Sequence, residues 1–361
     1  MTASSPSPTT PSRDLSLDFL KGLAIVMVVF FHNIQLNPES IADNLFMLAC
    51  NAAVPCFFLV SGSLFFSRPF SLAKHIRRMI RFYLVMVIWR GIYLALYHTW
   101  GAPISGSLRT LFSYLFLFQS MDGIETSHFW FMDAMLTVML IAPLLRICLE
   151  SNRNIIWYIL ATLILFNQLL ADGNLLLSLL AHTLGKPTPE ISSFAEINPF
   201  SFRHSNYMTY YLLGFFLHEQ KNRITKKSSG LMMTAGLTGL AVVKYIQSGT
   251  LQWQNLHIAS GYYWFSTMLL ACGMFFFTAR ISFHQYAPLR FFARTAGTAT
   301  MGIFYLHIPL IFLLRPVFTT YLADYNGWLL NLAESLLITA IACMITWAGK
   351  KIPVIKHLFQ G

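Results

Sequence analysis

Apolar stretches long enough to cross a bilayer recur from one end of this sequence to the other. A helix needs roughly 17–25 mostly apolar residues to span the hydrocarbon core. Backbone polar groups must be satisfied internally there, which leaves helices and closed barrels as the options. Ten segments read as spans, at 15–36, 43–66, 76–97, 128–149, 154–171, 205–219, 229–247, 260–280, 298–319 and 326–349, the sixth of them short. They predict an all-α polytopic membrane helix bundle of about ten transmembrane helices, one domain over residues 14–352. Composition agrees: 56% of the 361 residues are hydrophobic and 11% charged, where a soluble domain carries about 25% charged residues. "SLRTLFSYLFLF" at 107–118 is apolar but short, and reads as an interfacial or re-entrant helix.

The formal net charge of +11 does not point to nucleic acid. The cations sit in short loops between apolar runs, and no basic-aromatic platform of the kind single strands need is present. With the N-terminus inside, nearly all Lys and Arg of the loops fall on one side, and the other keeps Arg109, Lys186 and Arg203. That bias follows the positive-inside rule and puts both termini in the cytoplasm. Residues 1–13, rich in Ser, Thr and Pro, read as a disordered tail, and residues 353–361 as a short cytoplasmic tail. No cleavable signal peptide is expected, so the first apolar run is its own signal-anchor. The five cysteines form no CxxC pair and read as small buried hydrophobes; no metal site is expected. The outer segments 98–127 and 172–204 are the longest loops, where a substrate site can sit.

A charged side chain at the bilayer centre costs roughly 2.5–3.5 kcal/mol on insertion scales, so each calls for a partner or a water-filled cavity. In "DFLKGLAIVMVVFFHN", Lys21 and His32 are 11 residues apart, nearly three whole helical turns. They share a face and lie roughly 16 Å apart along the axis. Asp18, three residues before Lys21, can pair with it. "VPCFFLVSGSLFF" carries Ser61 and Gly62, where small residues let helices approach. In "SLAKHIRRMIRFYL", Arg77, Arg78 and Arg81 cluster on one face. That cluster serves as a topology signal or as a phosphate site, for which guanidinium forks are suited. "SHFWFMDAML" places His128 and Trp130 at an interface and Asp133 deeper. "MGIFYLHIPLIFLLRP" places Tyr305 and His307 inside the ninth span and Arg315 near its outer end. Glu334 is a further acid in the tenth span.

Taken together and in order, these pieces resemble the integral-membrane acyltransferase type 3 family, bacterial proteins that O-acylate glycans. The first-helix pattern is a basic residue, ten positions, then His, here Lys21 to His32. "FFLVSGSLFF" is similar to the family's Phe-Phe-x-x-Ser-Gly element and "RMIR" to its Arg-x-x-Arg element. "HFWFM" is similar to its Leu-Trp-Phe element and "MGIFYLHIPL" to its Tyr-Leu-x-His segment. The chain departs from the family in having Lys at position 21 where Arg is common and Thr at 300 where Ser is common. No fused SGNH domain is expected after the tenth span.

The resemblance implies an O-acetyltransferase of the bacterial cytoplasmic (inner) membrane. Acetyl-CoA or another acyl-CoA would be its cytoplasmic donor, and a glycan or lipid-linked sugar its acceptor at the outer face. No permanently bound cofactor is implied. Arg78 and Arg81, with Arg77, would bind the CoA phosphates, with Ser61 beside the donor. The pantetheine arm would rise toward His32, over a distance comparable to the Lys21–His32 separation. His32 would act as general base or as a transient acyl carrier, with Lys21 positioning the donor or stabilising negative charge. Asp133, His307, Tyr305, Trp130 and Arg315 would orient His32 or the acceptor. The competing class is a glycolipid transporter or flippase, whose intramembrane His, Asp and Glu would form a proton relay. The absence of an internal repeat leans against it.

Overall fold

The computed structural model describes residues 13–33, 40–187, 198–200, 204–246, 258–321 and 327–359. Among these the chain is all-helical, with no strand. The helices are α1 (Leu15–His32), α2 (Ile41–Cys50), α3 (Ala53–Phe66), α4 (Leu72–Thr99), α5 (Leu108–Phe116), α6 (Trp130–Ser151), α7 (Arg153–Ile164), α8 (Leu170–Thr183), α9 (Ser205–Gln220), α10 (Lys226–Tyr245), α11 (Phe265–Ala279), α12 (Ala287–Tyr321) and α13 (Trp328–Lys351).

Each of the ten expected segments is helical where it is described, but seven stretches are long and apolar enough to cross a membrane. The expected second span is α2 and α3, two helices broken at Asn51–Ala52. The expected fifth is longer, running from α7 through a π-helical turn, Leu165–Leu169, into α8. The expected sixth, seventh and eighth are α9, α10 and α11. At 16 residues α9 is short, as is α11 at 15 residues. α10 has the length, at 20 residues, but carries Lys226, Lys227 and Lys244 among small polar residues. The short segment at 107–118 is the nine-residue α5. All but Arg13 of the expected N-terminal tail lies outside the described residues. The C-terminal end does not hang free: Phe359 is buried, and Trp89 donates its indole N–H to the Leu358 carbonyl at 3.1 Å.

α1 is the hub, packed against α2, α3, α11, α12 and α13. Its N-cap is Asp14, whose side chain accepts from the Ser16 N–H, as an N-cap residue does. Two glycines set how closely neighbours approach. A Cβ on Gly297 would lie 2.0 Å from the Asp18 carbonyl oxygen, where α12 crosses α1. A Cβ on Gly62 would lie 1.8 Å from the Tyr211 carbonyl oxygen, where α3 crosses α9. Such contacts are the packing that small residues permit in membranes.

Two prolines inside helices have a more specific effect. Proline lacks the N–H that would bond the carbonyl four residues earlier. Pro143 in α6 thereby frees the Met139 carbonyl, which the His75 ring takes at 2.8 Å. Pro309 in α12 frees the Tyr305 carbonyl, which Tyr93 of α4 takes at 2.9 Å. In both cases a ring from α4 satisfies an acceptor that would otherwise be orphaned in a medium without water.

Candidate active site

His32 ends α1 and is half-buried. It lines a cavity of about 400 Å³ together with Val28, His128, Trp130, Tyr207 and Tyr262, among others. Nearly all the remaining wall is apolar or aromatic. Cavities of this size, apolar with a few convergent polar groups, are the common form of small-molecule sites. The Trp130 ring packs against Tyr207 at 5.3 Å and Tyr262 at 5.6 Å between centroids.

Three imidazoles from three elements come together here, His32 and His128 at the wall and His307 buried beside them. The His32 centroid is 5.2 Å from that of His307 and 6.3 Å from that of His128, and those two lie 5.2 Å apart. His307 is 0% exposed. Its Nδ1 donates to the Phe304 carbonyl at 2.6 Å. A carbonyl only accepts, so Nδ1 carries the hydrogen and neutral His307 has its lone pair on Nε2. That nitrogen is buried and has no hydrogen-bond partner.

His128 is fixed in the opposite sense. Tyr93 has one hydroxyl hydrogen and gives it to the Tyr305 carbonyl. The contact between Tyr93 Oη and His128 Nε2, at 3.2 Å, therefore needs its hydrogen from His128. Nε2 is the N–H, and the lone pair sits on Nδ1. Nδ1 too is buried and without a partner. Pro309 thus reaches the cavity wall through three links: the freed carbonyl, the Tyr93 hydroxyl and the His128 ring.

Of the residues singled out from sequence, the structure brings His32, His307 and Trp130 together. Tyr305 stands behind them. Its ring stacks on Trp89 at 4.9 Å and its backbone carbonyl, not its side chain, makes the contact that matters. Asp133 meets His204 at 3.3 Å, one turn below Trp130, away from the cavity lining. Lys21 pairs with Asp18 at 2.9 Å, as the spacing suggested, and Arg13 joins the same carboxylate. It lies at the other end of α1 from His32. Arg77, Arg78 and Arg81 are exposed on the first turns of α4, outside the cavity wall. Ser61 is half-buried beside the α3–α9 crossing, and Arg315 is exposed on α12.

Sequence reasoning treated His128 only as an interfacial residue and missed Tyr93. The "HIP" triplet after Tyr305 carried the signal, because a proline at i+4 announces a free carbonyl. Next to His32, Asn33 donates to Glu334 at 2.8 Å, and Asn331 donates to the Phe30 carbonyl at 3.2 Å. These bonds tie the end of α1 to α13 and hold the ring's backbone in place.

The apolar helices define an integral membrane protein, and the cavity carries two histidines on a largely apolar wall. A family model described as an acyltransferase domain, that of the type 3 acyltransferases, matches residues 14–348, and the chain belongs to that family. No curated protein and no solved structure matches it. Family membership makes the protein a membrane acyltransferase.

Proposed function

We propose that this protein moves an acyl group, acetyl in the first instance, from cytoplasmic acyl-CoA to a hydroxyl of an envelope glycan or glycolipid. The observation that carries the reading is His32 at the wall of an aromatic cavity in a chain of the acyltransferase family. Aromatic rings such as Trp130 and Tyr207 suit the apolar faces of a sugar, and imidazole suits its hydroxyls.

His32 acts as the general base. In the proposed reaction His307, whose Nε2 lone pair has no partner in the structure and whose ring centroid lies 5.2 Å from that of His32, takes up the N–H of His32. This directs the other His32 nitrogen, with its lone pair, toward the cavity. That nitrogen takes the hydroxyl proton as the oxygen attacks the thioester carbonyl. The carbon–sulfur bond then breaks, and the proton passes from His32 to the departing thiolate. Arg78 and Arg81, exposed and near one end of α4, suit the CoA phosphates. Lys21, bound to Asp18, is too far along α1 to touch the reacting atoms and acts on the donor or on the helix end. The proposed setting is the bacterial inner membrane, with the CoA donor on its cytoplasmic side. The test is transfer of label from radiolabelled acetyl-CoA to a glycan acceptor by the purified protein. Transfer supports the reading, and its absence with every acceptor class tried rejects it.

A further inference from the structure

The orphaned nitrogen of His128 says something about the acceptor. We propose that His128 Nδ1 receives a hydrogen bond from a second hydroxyl of the acceptor, on the carbon next to the reacting one. The substrate class is then a sugar with a vicinal diol at the acylated position. The inference rests on the reading of His32 as the base.

It follows from counting hydrogens. His32 presents a lone pair to the cavity if it is to take a proton. His128, whose ring lines the cavity, has its own lone pair on the buried Nδ1, because Tyr93 and the Tyr305 carbonyl hold its only N–H at Nε2. One hydroxyl has one hydrogen and satisfies one of the two nitrogens. Two hydroxyls are needed, and they must be close, because the two ring centroids are 6.3 Å apart. Hydrogen bonds of about 2.8 Å to each nitrogen fit oxygens on adjacent carbons. His128 is 2% exposed and lines the cavity. A buried acceptor left unmatched is costly, and catalytic hydrogen bonds tighten when substrate is bound. The titratable or charged groups facing His128 are His32 from α1, His307 from α12, and Tyr93 and Arg90 from α4. Apart from Tyr93, which only accepts from it, none of them makes a hydrogen bond to His128.

The probes are methyl hexopyranosides of gluco, manno and galacto configuration, with radiolabelled acetyl-CoA and the purified full-length protein. The best acceptor is compared with its monodeoxy forms. Removal of the hydroxyl next to the acetylated one is expected to lower kcat/KM about 10- to 100-fold, and removal of a distant one far less. In His128→Phe, which keeps a ring but no acceptor, the adjacent penalty is expected to shrink to within about threefold. His128→Gln, whose amide oxygen can accept in place of Nδ1, is expected to retain part of the discrimination. The wild-type series needs no variant to fold. Equal rates on the diol and the adjacent deoxy sugar overturn the proposal while leaving the acyltransferase reading intact, as does an undiminished penalty in His128→Phe. Failure of the wild type to acetylate any of the hexosides overturns the reading beneath it.

Discussion

Tyr93 donates its hydroxyl to the backbone carbonyl of Tyr305 at 2.9 Å, and the same oxygen accepts from His128. One tyrosine thereby satisfies a buried acceptor and sets which nitrogen of His128 is free. Tyr93→Phe removes both effects. Acyl transfer is expected to fall about tenfold or more, and the lost hydrogen bonds to cost about 1–3 kcal/mol. Comparing kcat for transfer with thermal unfolding separates the two effects. A variant with reduced Tm and unchanged kcat would confine Tyr93 to structure.

Pro309→Ala gives the opposite sign for stability. It restores an N–H at the position that bonds the Tyr305 carbonyl and removes a helix-interior proline, which costs roughly 3 kcal/mol in an exposed helix. Tm is expected to hold or rise. Transfer is expected to fall, because the new N–H competes with Tyr93 for the carbonyl. Equal or higher activity would show that the freed carbonyl does not govern the site.

Helix crossings without room for a methyl group make a second set of expectations. Gly297→Ala would force a Cβ to 2.0 Å from the Asp18 carbonyl oxygen and Gly62→Ala to 1.8 Å from that of Tyr211, both backbone atoms. Each is expected to lower stability by about 1–3 kcal/mol or more, since backbones must shift. A Cβ on Gly91 of α4 meets nothing within 4 Å, so Gly91→Ala is expected to be neutral or stabilising. Unfolding curves in detergent compare the three.

Acid sensitivity has a nameable source at the start of α1. Burial alone would push Asp14 up, but hydrogen bonds from Ser16 and the Lys221 ammonium at 2.9 Å hold it below the ordinary carboxylate value. A carboxylate held low stabilises the fold above its unfolded-state pKa, and the contribution vanishes as pH falls through the folded-state value. Asp14→Asn is therefore expected to unfold earlier than wild type at pH 7. The gap should close below about pH 4, where the unfolded-state aspartate is protonated. A gap that stays constant with pH would mean the ion pair contributes nothing.

The helices were legible in the sequence because their apolar runs are set by the bilayer, and all ten expected segments are helical where described. How many qualify as spans was less legible. The break at Asn51–Ala52 and the shortness of α9 and α11 depend on packing inside the bundle. Part of the site was equally visible. His32 and His307 are polar residues in apolar runs, and Trp130 opens α6. His128 and Tyr93 were not visible as partners, because nothing local joins α4 to the start of α6. Their meeting depends on the carbonyl that Pro309 frees in α12. Asp133, read from the sequence as an acid that needs a partner and as a candidate for orienting His32 or the acceptor, has His204 at 3.3 Å, a partner far away in sequence that no local pattern announces.

In the proposed reaction His32 takes the proton of the acceptor hydroxyl. The direct measurement is transfer of label from radiolabelled acetyl-CoA to acceptor by wild type and by His32→Ala, with matched unfolding curves. Loss of a positioned general base is expected to lower the rate about 10²- to 10⁴-fold with the fold intact. Full transfer by a folded His32→Ala would remove His32 from the chemistry.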